Sequence, residues 1–189
     1  VYDITHLLRP GNNALGIILG DGWFRGHIHA KRNQYGDKVR AILQLEVTYT
    51  DGSREVIATD GSWKSCTGPI LKSDFYHGEI YDARLELTGW DKPGYTDTHW
   101  KGVLEQEVDK NILIASETQP MRITQSIRPV RKIITPRNET VIDFGQNITG
   151  WVSFSLKGKA GERIRLQFAE TLNKEGNYFR ENLSRARAE

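Results

Sequence analysis

The sequence predicts an all-β protein made of two successive sandwich-like units. Apolar side chains recur at every second position across residues 39–49, which is the period of a strand with one buried face. Asp-Gly pairs at 51–52 and 60–61 have the composition of tight turns, and residues 54–59 provide the returning strand. A second alternating pattern lies within residues 152–168. We therefore expect antiparallel strands with little helix.

Local patterns predict the other elements of the first unit. Asp3 is placed to cap a short helical turn through Leu8, because its carboxylate can accept free backbone N–H groups, and Pro10-Gly11 then ends the turn. Residues 14–19, ALGIIL, form an apolar run typical of a strand covered on both faces. Residues 89–100 are rich in turn formers, and we expect a loop pinned to the surface by its two tryptophans.

The chain is predicted to contain two domains and a linker. Residues 1–104 form the first domain, and residues 105–125, with mixed charge, connect it to the second. The second domain covers residues 126–189. It contains a predicted hairpin in which residues 152–156 and 163–168 alternate on either side of a glycine-bounded turn.

Composition and charge exclude several classes of function. The 189 residues are 38% hydrophobic and 26% charged, as in ordinary globular proteins. The net charge of +2 is spread along the chain, which argues against nucleic acid as a partner. No apolar run approaches the roughly 20 residues that span a bilayer, so we expect a soluble protein with no membrane partner. The single cysteine excludes an internal disulfide.

Residues 76–84, YHGEIYDAR, form an unusually polar stretch for a strand-rich chain. A strand that only fills a core alternates apolar and polar side chains, whereas this one carries polar groups on both faces. Gly78 permits a sharp turn that would place Glu79 at a rim beside an aromatic ring, which suits a sugar. The structural alternative is an ion pair between Asp82 and Arg84, with Glu79 capping backbone N–H groups. The stretch is therefore predicted to be either a sugar or metal site or a buried polar junction.

Three long stretches, in the same order, resemble the bacterial α-L-rhamnosidase family of glycoside hydrolases. Residues 2–26, YDITHLLRPGNNALGIILGDGWFRG, look like that family's N-terminal β-sandwich. Residues 68–90 contain the polar stretch, and residues 141–189 are similar to the start of the concanavalin-like domain. The resemblance implies a galactose-binding-like jelly-roll sandwich followed by part of a second β-sandwich. It also implies a parent enzyme that removes terminal α-L-rhamnose by acid/base hydrolysis with inversion.

The resemblance does not extend to the family's catalytic domain. We expect the chain to lack the opening strands of the first sandwich and the (α/α) barrel that carries the catalytic carboxylates. Glycoside hydrolysis needs two carboxylates about 5 to 9.5 Å apart, and Glu79 and Asp82 should point to opposite faces of extended chain. Asp143 and Glu170 are the other pair that the second sheet could bring together. We expect no catalytic residue in this fragment and no hydrolysis by it.

The candidate sugar-contacting residues are aromatic rings and carboxylates. Rings cover the apolar C–H faces of a sugar, and acids accept hydrogen bonds from its hydroxyls. These candidates are Trp23, Asp37, Trp63, Glu79 and Tyr81. Packing within the protein is the alternative role of the two tryptophans. Some related sandwiches bind L-rhamnose through calcium, and the oxygen ligands available here for calcium are Asp37, Glu79 and Asp82, with Asp21 as a further candidate.

His27 and His29 are two residues apart and would share one strand face. A zinc site needs further ligands, and the sequence shows no third ligand nearby. We therefore expect surface or interface histidines.

The sequence leaves three hypotheses for function. The fragment is an accessory region that shapes substrate access, a calcium-assisted module that binds L-rhamnose, or a pure scaffold for the barrel. An incomplete sandwich also leaves strand edges unpaired, and such edges recruit another chain. The expected partners are rhamnose-containing glycans or glycosides, the parent's barrel domain, and a second copy of this chain in a homodimer. The expected compartment is the bacterial cytoplasm, the periplasm or the extracellular space.

Overall fold

The computed structural model describes residues 1–187, and its regular structure is mostly β. The strands of the described residues are β1 (His27–Ile28), β2 (Lys31–Arg32), β3 (Gln44–Thr48), β4 (Arg54–Ala58), β5 (Lys64–Ser65), β6 (Ile70–Asp74), β7 (Gly78–Tyr81), β8 (Lys101–Gly102), β9 (Arg131–Ile134), β10 (Thr140–Asp143), β11 (Thr171–Leu172) and β12 (Tyr178–Phe179). The helical segments are α1 (Gly22–Arg25) and the 3-10 turns Thr5–Leu7, Ala83–Leu85, Lys110–Ile112 and Glu181–Leu183. The all-β class predicted from the sequence is confirmed. None of these helices is long and apolar enough to cross a membrane.

Every strand of residues 1–187 pairs antiparallel with a single neighbour. Five ladders are hairpins between consecutive strands, namely β1–β2, β3–β4, β6–β7, β9–β10 and β11–β12. The ladder between β5 and β8 is the exception, because it brings Lys64 and Ser65 beside Gly102 and Lys101. Local hairpins are therefore the main unit of this fold.

The β3–β4 hairpin matches the clearest strand prediction. Its ladder pairs Gln44 with Ala58 and Thr48 with Arg54, and a backbone hydrogen bond from Tyr49 N to Ser53 O, 2.9 Å long, closes the turn. Gly52 adopts a φ of 86°, a conformation that glycine reaches without the steric cost of a side chain. The apolar alternation begins at residue 39, but the backbone is paired in a ladder only from residue 44 onwards.

Two strand predictions are wrong for the described residues. The run at 14–19 forms no strand, and its Ile18 remains 68% exposed. Residues 152–156 and 163–168 also form no strand, although a turn between them is present, with Glu162 N donating to Lys159 O at 3.0 Å. Alternation shows which side chains share a face, but a strand also needs a neighbouring backbone to complete its hydrogen bonds. Within residues 1–187, neither segment is part of a strand ladder.

The most buried side chains of the described residues are polar. Asp74, Thr135 and Asn177 are 9%, 4% and 4% exposed, whereas no apolar side chain in residues 1–187 is buried to that degree. Buried polar groups are stable only when they are hydrogen-bonded. The polar clusters around these residues therefore position the hairpins.

One of these clusters joins the two C-terminal hairpins. The Glu139 carboxylate accepts hydrogen bonds from Thr135 Oγ1 at 2.8 Å and from Tyr178 N at 3.0 Å. Asn177 Oδ1 accepts from Arg137 N at 3.0 Å. Hydrogen bonds from the Tyr178 backbone and from Thr135 lower the pKa of Glu139, so its ionised form is favoured. These contacts hold β9–β10 against β11–β12.

The loop and the terminal turn follow the sequence predictions. Trp90 and Trp100 stack with ring centroids 6.4 Å apart, which fixes the predicted loop 89–100. The Trp90 ring also lies directly against Gly16, where any side chain would overlap it. At the N-terminus, Asp3 Oδ1 accepts from Thr5 N at 3.0 Å at the start of the predicted helical turn.

The predicted linker, residues 105–125, contains no strand and only the 3-10 turn Lys110–Ile112. Asp109 Oδ1 accepts from Asn111 N at 2.9 Å and so caps that turn. The predicted domain boundaries, 1–104 and 126–189 on either side of this segment, stay a prediction.

Candidate functional site

Asp74, at the end of β6, is the centre of the polar junction in the first unit. Its Oδ1 accepts hydrogen bonds from Tyr76 N at 2.8 Å and His77 N at 2.9 Å. Its Oδ2 accepts from His27 N at 2.9 Å and lies 2.7 Å from His27 Nδ1. The side chain is 3% exposed. Burial by itself would raise the pKa of this carboxyl, but the hydrogen bonds from His27, His77 and Tyr76 outweigh it and hold the pKa well below its usual range.

Two glycines allow the 20–29 segment to reach Asp74. Gly22 starts α1 with a φ of 52°, in the left-handed region. A Cβ on Gly26 would overlap the Gly22 carbonyl oxygen and lie 3.2 Å from Asp74 Oδ2. The glycines of the GDGWFRG stretch therefore permit the close approach that places His27 on the Asp74 carboxylate.

Asp21 anchors the other side of the same turn. Its Oδ1 accepts from Arg25 Nε at 2.5 Å, and its Oδ2 lies 3.7 Å from an Arg32 terminal nitrogen. Two cationic partners already occupy this carboxylate, so the arrangement is that of an ion pair and not of a calcium ligand.

Trp23 forms an aromatic surface on this turn. Its ring stacks on Phe75, with centroids 5.0 Å apart and planes 20° apart, and it meets Tyr76 edge-on at 5.8 Å. Trp23 nevertheless stays 49% exposed. The ring therefore packs on its own unit, as one of the two sequence alternatives predicts, while its role as a sugar platform stays a prediction.

His77 lies beside this junction. Its ring meets that of His27 edge-on with centroids 4.3 Å apart, and its buried Nδ1 has no hydrogen-bond partner among the described residues. Lys72 Nζ donates to the His77 carbonyl oxygen at 2.8 Å. Burial lowers the pKa of His77, and a charge on His27 lowers it further, against the opposing effect of Asp74.

The two histidines that the sequence paired do not share a site. His27 is bound to Asp74, whereas His29 is an exposed residue in the β1–β2 turn with a φ of 57°. In residues 1–187, no three His, Cys, Asp or Glu side chains are grouped so that they could hold a metal ion.

The acids of the 76–84 stretch have separate partners. Asp82 receives two bonds from the Arg84 guanidinium, at 2.8 and 2.6 Å, and this pairing lowers the pKa of Asp82 to about 2. The predicted Asp82–Arg84 ion pair is confirmed. Glu79 is exposed on β7 opposite Ser73, and the carboxylate that caps the backbone N–H groups is Asp74, so the capping role predicted for Glu79 is wrong.

The remaining candidate sugar-contacting residues have separate contacts. The Tyr81 hydroxyl donates to Glu86 Oε1 at 2.5 Å, and this hydrogen bond raises the pKa of Tyr81, whose ring is 50% exposed. Trp63 Nε1 donates to Ala58 O at 3.2 Å, which ties it to the end of β4. Asp37 is an exposed residue on a bend.

Sequence reasoning missed Asp74 and Phe75, which immediately precede the polar stretch. An Asp two or three residues before free N–H groups in a turn is a recognisable local signal. The contact between Asp74 and His27, 47 residues apart, has no such signal because only the tertiary fold creates it.

Solved structures place this fold among enzymes that act in carbohydrate chemistry. The native α-L-rhamnosidase of Aspergillus terreus superposes with a TM-score of 0.81 at 36% identity, over 90% of this chain and 20% of that one. The α-L-rhamnosidase of Streptomyces avermitilis, solved with L-rhamnose, gives a TM-score of 0.80 at 35% identity, over 89% of this chain and 16% of that one. The architecture is thus that of the β-sandwich region of a multidomain α-L-rhamnosidase.

Sequence comparison gives the same class of protein and also shows the family to which the chain belongs. The α-L-rhamnosidase N-terminal domain model matches residues 1–125, and the bacterial α-L-rhamnosidase concanavalin-like domain model matches residues 133–189. The chain belongs to the bacterial α-L-rhamnosidase family.

Curated relatives match this chain along nearly its whole length. An α-L-rhamnosidase of Streptomyces avermitilis is 39% identical over 191 residues, covering 99% of this chain and 18% of the relative. One from Alteromonas sp. strain LOR is 34% identical over 184 residues, covering 96% of this chain and 20% of the relative. The chain therefore spans about a fifth of the length of these relatives.

Proposed function

We propose that this chain is a non-catalytic accessory region of an α-L-rhamnosidase, and that it contacts rhamnose-containing glycans next to the domain that cleaves them. The match to two non-barrel domain models supports the accessory role. The relatives carry roughly four-fifths of their length outside the matched region, which leaves room for a separate catalytic domain such as the (α/α) barrel.

The observation that carries the sugar contact is the Trp23 surface. A half-exposed indole backed by Phe75 presents a flat apolar face, and such faces cover the C–H groups of pyranose rings. Asp74 fixes the chain on both sides of this surface, because it binds His27 after α1 and the turn after Phe75. A ring that is already in place loses little conformational entropy on binding.

The carboxylates of the polar junction and of the second unit are poorly suited to cleavage. Asp74 is enclosed by four hydrogen-bond donors, and Asp82 is bound to the Arg84 guanidinium. In the second unit, Asp143 pairs with Arg131 Nε at 2.7 Å. A general acid in glycoside hydrolysis needs a raised pKa, whereas each of these three carboxyls has a lowered pKa.

We also propose that the rest of the parent protein covers apolar side chains that are exposed here. Trp151, Phe154 and Ile164 are 73%, 55% and 53% exposed on segments that form no strand. Exposed apolar surface of this kind marks an interaction site. A second copy of the chain is the other candidate partner, because strand edges without a neighbour recruit another chain. Light scattering across a concentration series distinguishes a second copy from the rest of the parent protein, since only a homodimer gives twice the monomer mass without added barrel domain.

Titration with L-rhamnose tests the sugar contact. We expect tryptophan fluorescence or Trp23 NMR signals to change at millimolar sugar, and the change to disappear in Trp23→Ala. Trp151→Ala is the matched control, because Trp151 is also exposed but lies in the second unit. A wild-type chain without any response would refute the sugar contact, and a response only with calcium would favour the calcium-assisted module instead. Release of aryl alcohol from an aryl rhamnoside would refute the non-catalytic role.

A further inference from the structure

The turn between β6 and β7 holds the C-terminal segment of the chain. Arg187 N donates to Tyr76 O at 2.7 Å, which joins residues more than a hundred positions apart. Ala186 N donates to Leu183 O at 3.0 Å, so the segment 183–187 forms a compact turn where it meets β6–β7. This hydrogen bond connects the second unit to the first.

The orientation of the Tyr76 carbonyl depends on Asp74. Oδ1 of Asp74 accepts both Tyr76 N and His77 N, which fixes the peptide groups on either side of that carbonyl. Lys72 fixes the next carbonyl by donating to His77 O. The docking point for Arg187 is therefore rigid as long as His77 keeps its place.

The environment of the His77 ring in this docking point disfavours its protonated, positively charged form. Its enclosed Nδ1 has no partner in the described residues, so a proton added there would have no acceptor. The titratable and charged groups that act electrostatically on the ring are His27 from β1, Lys72 and Asp74 from β6, and Arg187 from the C-terminal segment. Three of these four are basic, and the one acid already accepts four hydrogen bonds.

We propose that the β6–β7 turn is a pH-sensitive docking point for the C-terminal segment 183–187, and that protonation of His77 releases this segment. A charged imidazolium ring needs solvent or an acceptor, and its displacement toward solvent moves the Tyr76 carbonyl away from Arg187 N. The repulsion between the imidazolium and the Arg187 guanidinium acts in the same direction. Release removes the hydrogen bond between the segment 183–187 and the β6–β7 turn at mildly acidic pH.

Hydrogen exchange at the Arg187 amide of the whole chain measures this release. After correction for the intrinsic pH dependence of exchange, we expect protection at pH 7.5 and about tenfold less protection for each pH unit below the release midpoint. The midpoint should lie below the ordinary histidine value of about 6.5, because the docked state disfavours the charged ring. Protection that is the same at pH 7.5 and pH 5 would overturn the proposal.

Variants identify the responsible histidine. His77→Phe keeps a flat ring that cannot be protonated, and it should retain Arg187 protection at pH 5. His77→Gln serves as a second variant if the larger ring disturbs folding, and it should also abolish the pH dependence. His6→Gln, in the exposed N-terminal turn, is the matched control and should release the segment as the wild type does. Release with an unchanged midpoint in both His77 variants would contradict a role for His77.

Discussion

Asp74 and His27, separated by 46 intervening residues, are joined by two contacts to the same carboxylate oxygen, one from the backbone N–H and one from the ring Nδ1. The other oxygen of Asp74 holds the β6–β7 turn. One buried side chain therefore fastens the GDGWFRG turn to the polar stretch that follows β6.

Replacing Asp74 with Asn should destabilise the chain. The amide has a single acceptor oxygen and carries no charge, so at least two of the four donors lose their partner. Hydrogen bonds to charged groups contribute about 1.5–3 kcal/mol each to the free energy of unfolding. We expect the free energy of unfolding, measured with urea at pH 7, to fall by at least one such contribution. Asp37→Asn, at an exposed bend, is the matched control and should change stability by less than about 0.5 kcal/mol. Equal effects of the two substitutions would contradict the role of Asp74.

Stability should fall at acidic pH through the same carboxyl. The pKa of Asp74 is lower in the folded than in the unfolded chain, so the unfolded chain binds more protons in the acidic range. The stabilisation is complete above the unfolded value of about 3.9 and is lost as pH falls below it. Urea unfolding between pH 5 and pH 2.5 measures this loss. The Asp74→Asn variant should show a smaller slope, and an identical slope would contradict the assignment.

Gly26→Ala should disrupt the contact between α1 and Asp74. The new methyl group would overlap the Gly22 carbonyl oxygen, and overpacking of this kind costs about 1–3 kcal/mol. Gly102→Ala is the control, because nothing lies within 4 Å of the position that its Cβ would take. Thermal unfolding should separate the two variants. In Gly26→Ala the Trp23 fluorescence should also shift as its stack on Phe75 loosens, and an unchanged spectrum and midpoint would argue against this packing.

Asn177→Ala should separate the two C-terminal hairpins. The side chain accepts from Arg137 N and the residue is 4% exposed, so its removal leaves a donor without a partner at a cost of about 1–3 kcal/mol. Hydrogen exchange at the Arg137 amide should accelerate. Asn182→Ala, whose exposed side chain makes only a long contact of 3.4 Å to Glu170, should leave this amide unchanged. Acceleration in both variants would point to general unfolding instead.

The sequence predicted the features of this fold that depend on neighbouring residues. The β3–β4 hairpin, the Asp82–Arg84 pair and the loop at residues 89–100 all follow from local pattern or close spacing. Residues 76–84 do lie at a polar junction, which is one of the two predicted alternatives, but the central acid of the junction lies two residues earlier. Asp74 is an acid between Ser73 and Phe75, and nothing in that local pattern shows that a glycine turn 47 residues upstream reaches it.

Two segments show the opposite error, a predicted strand where the structure has none. Residues 14–19 and 152–168 have the apolar content of strands, but they form no strand in residues 1–187. Apolar periodicity measures the tendency of side chains to be buried, whereas a ladder requires a second backbone at the right distance. For these segments, no second backbone among the described residues forms a ladder.

The scarcity of fully buried apolar side chains in residues 1–187 has a calorimetric consequence. The heat capacity increase on unfolding comes from hydration of newly exposed apolar area, and newly exposed polar area reduces it. A chain whose most enclosed side chains are Asp74, Thr135 and Asn177 gains little apolar hydration when it melts. Its melting endotherm should be broad, with nearly level baselines on either side, and addition of the rest of the parent protein should sharpen it.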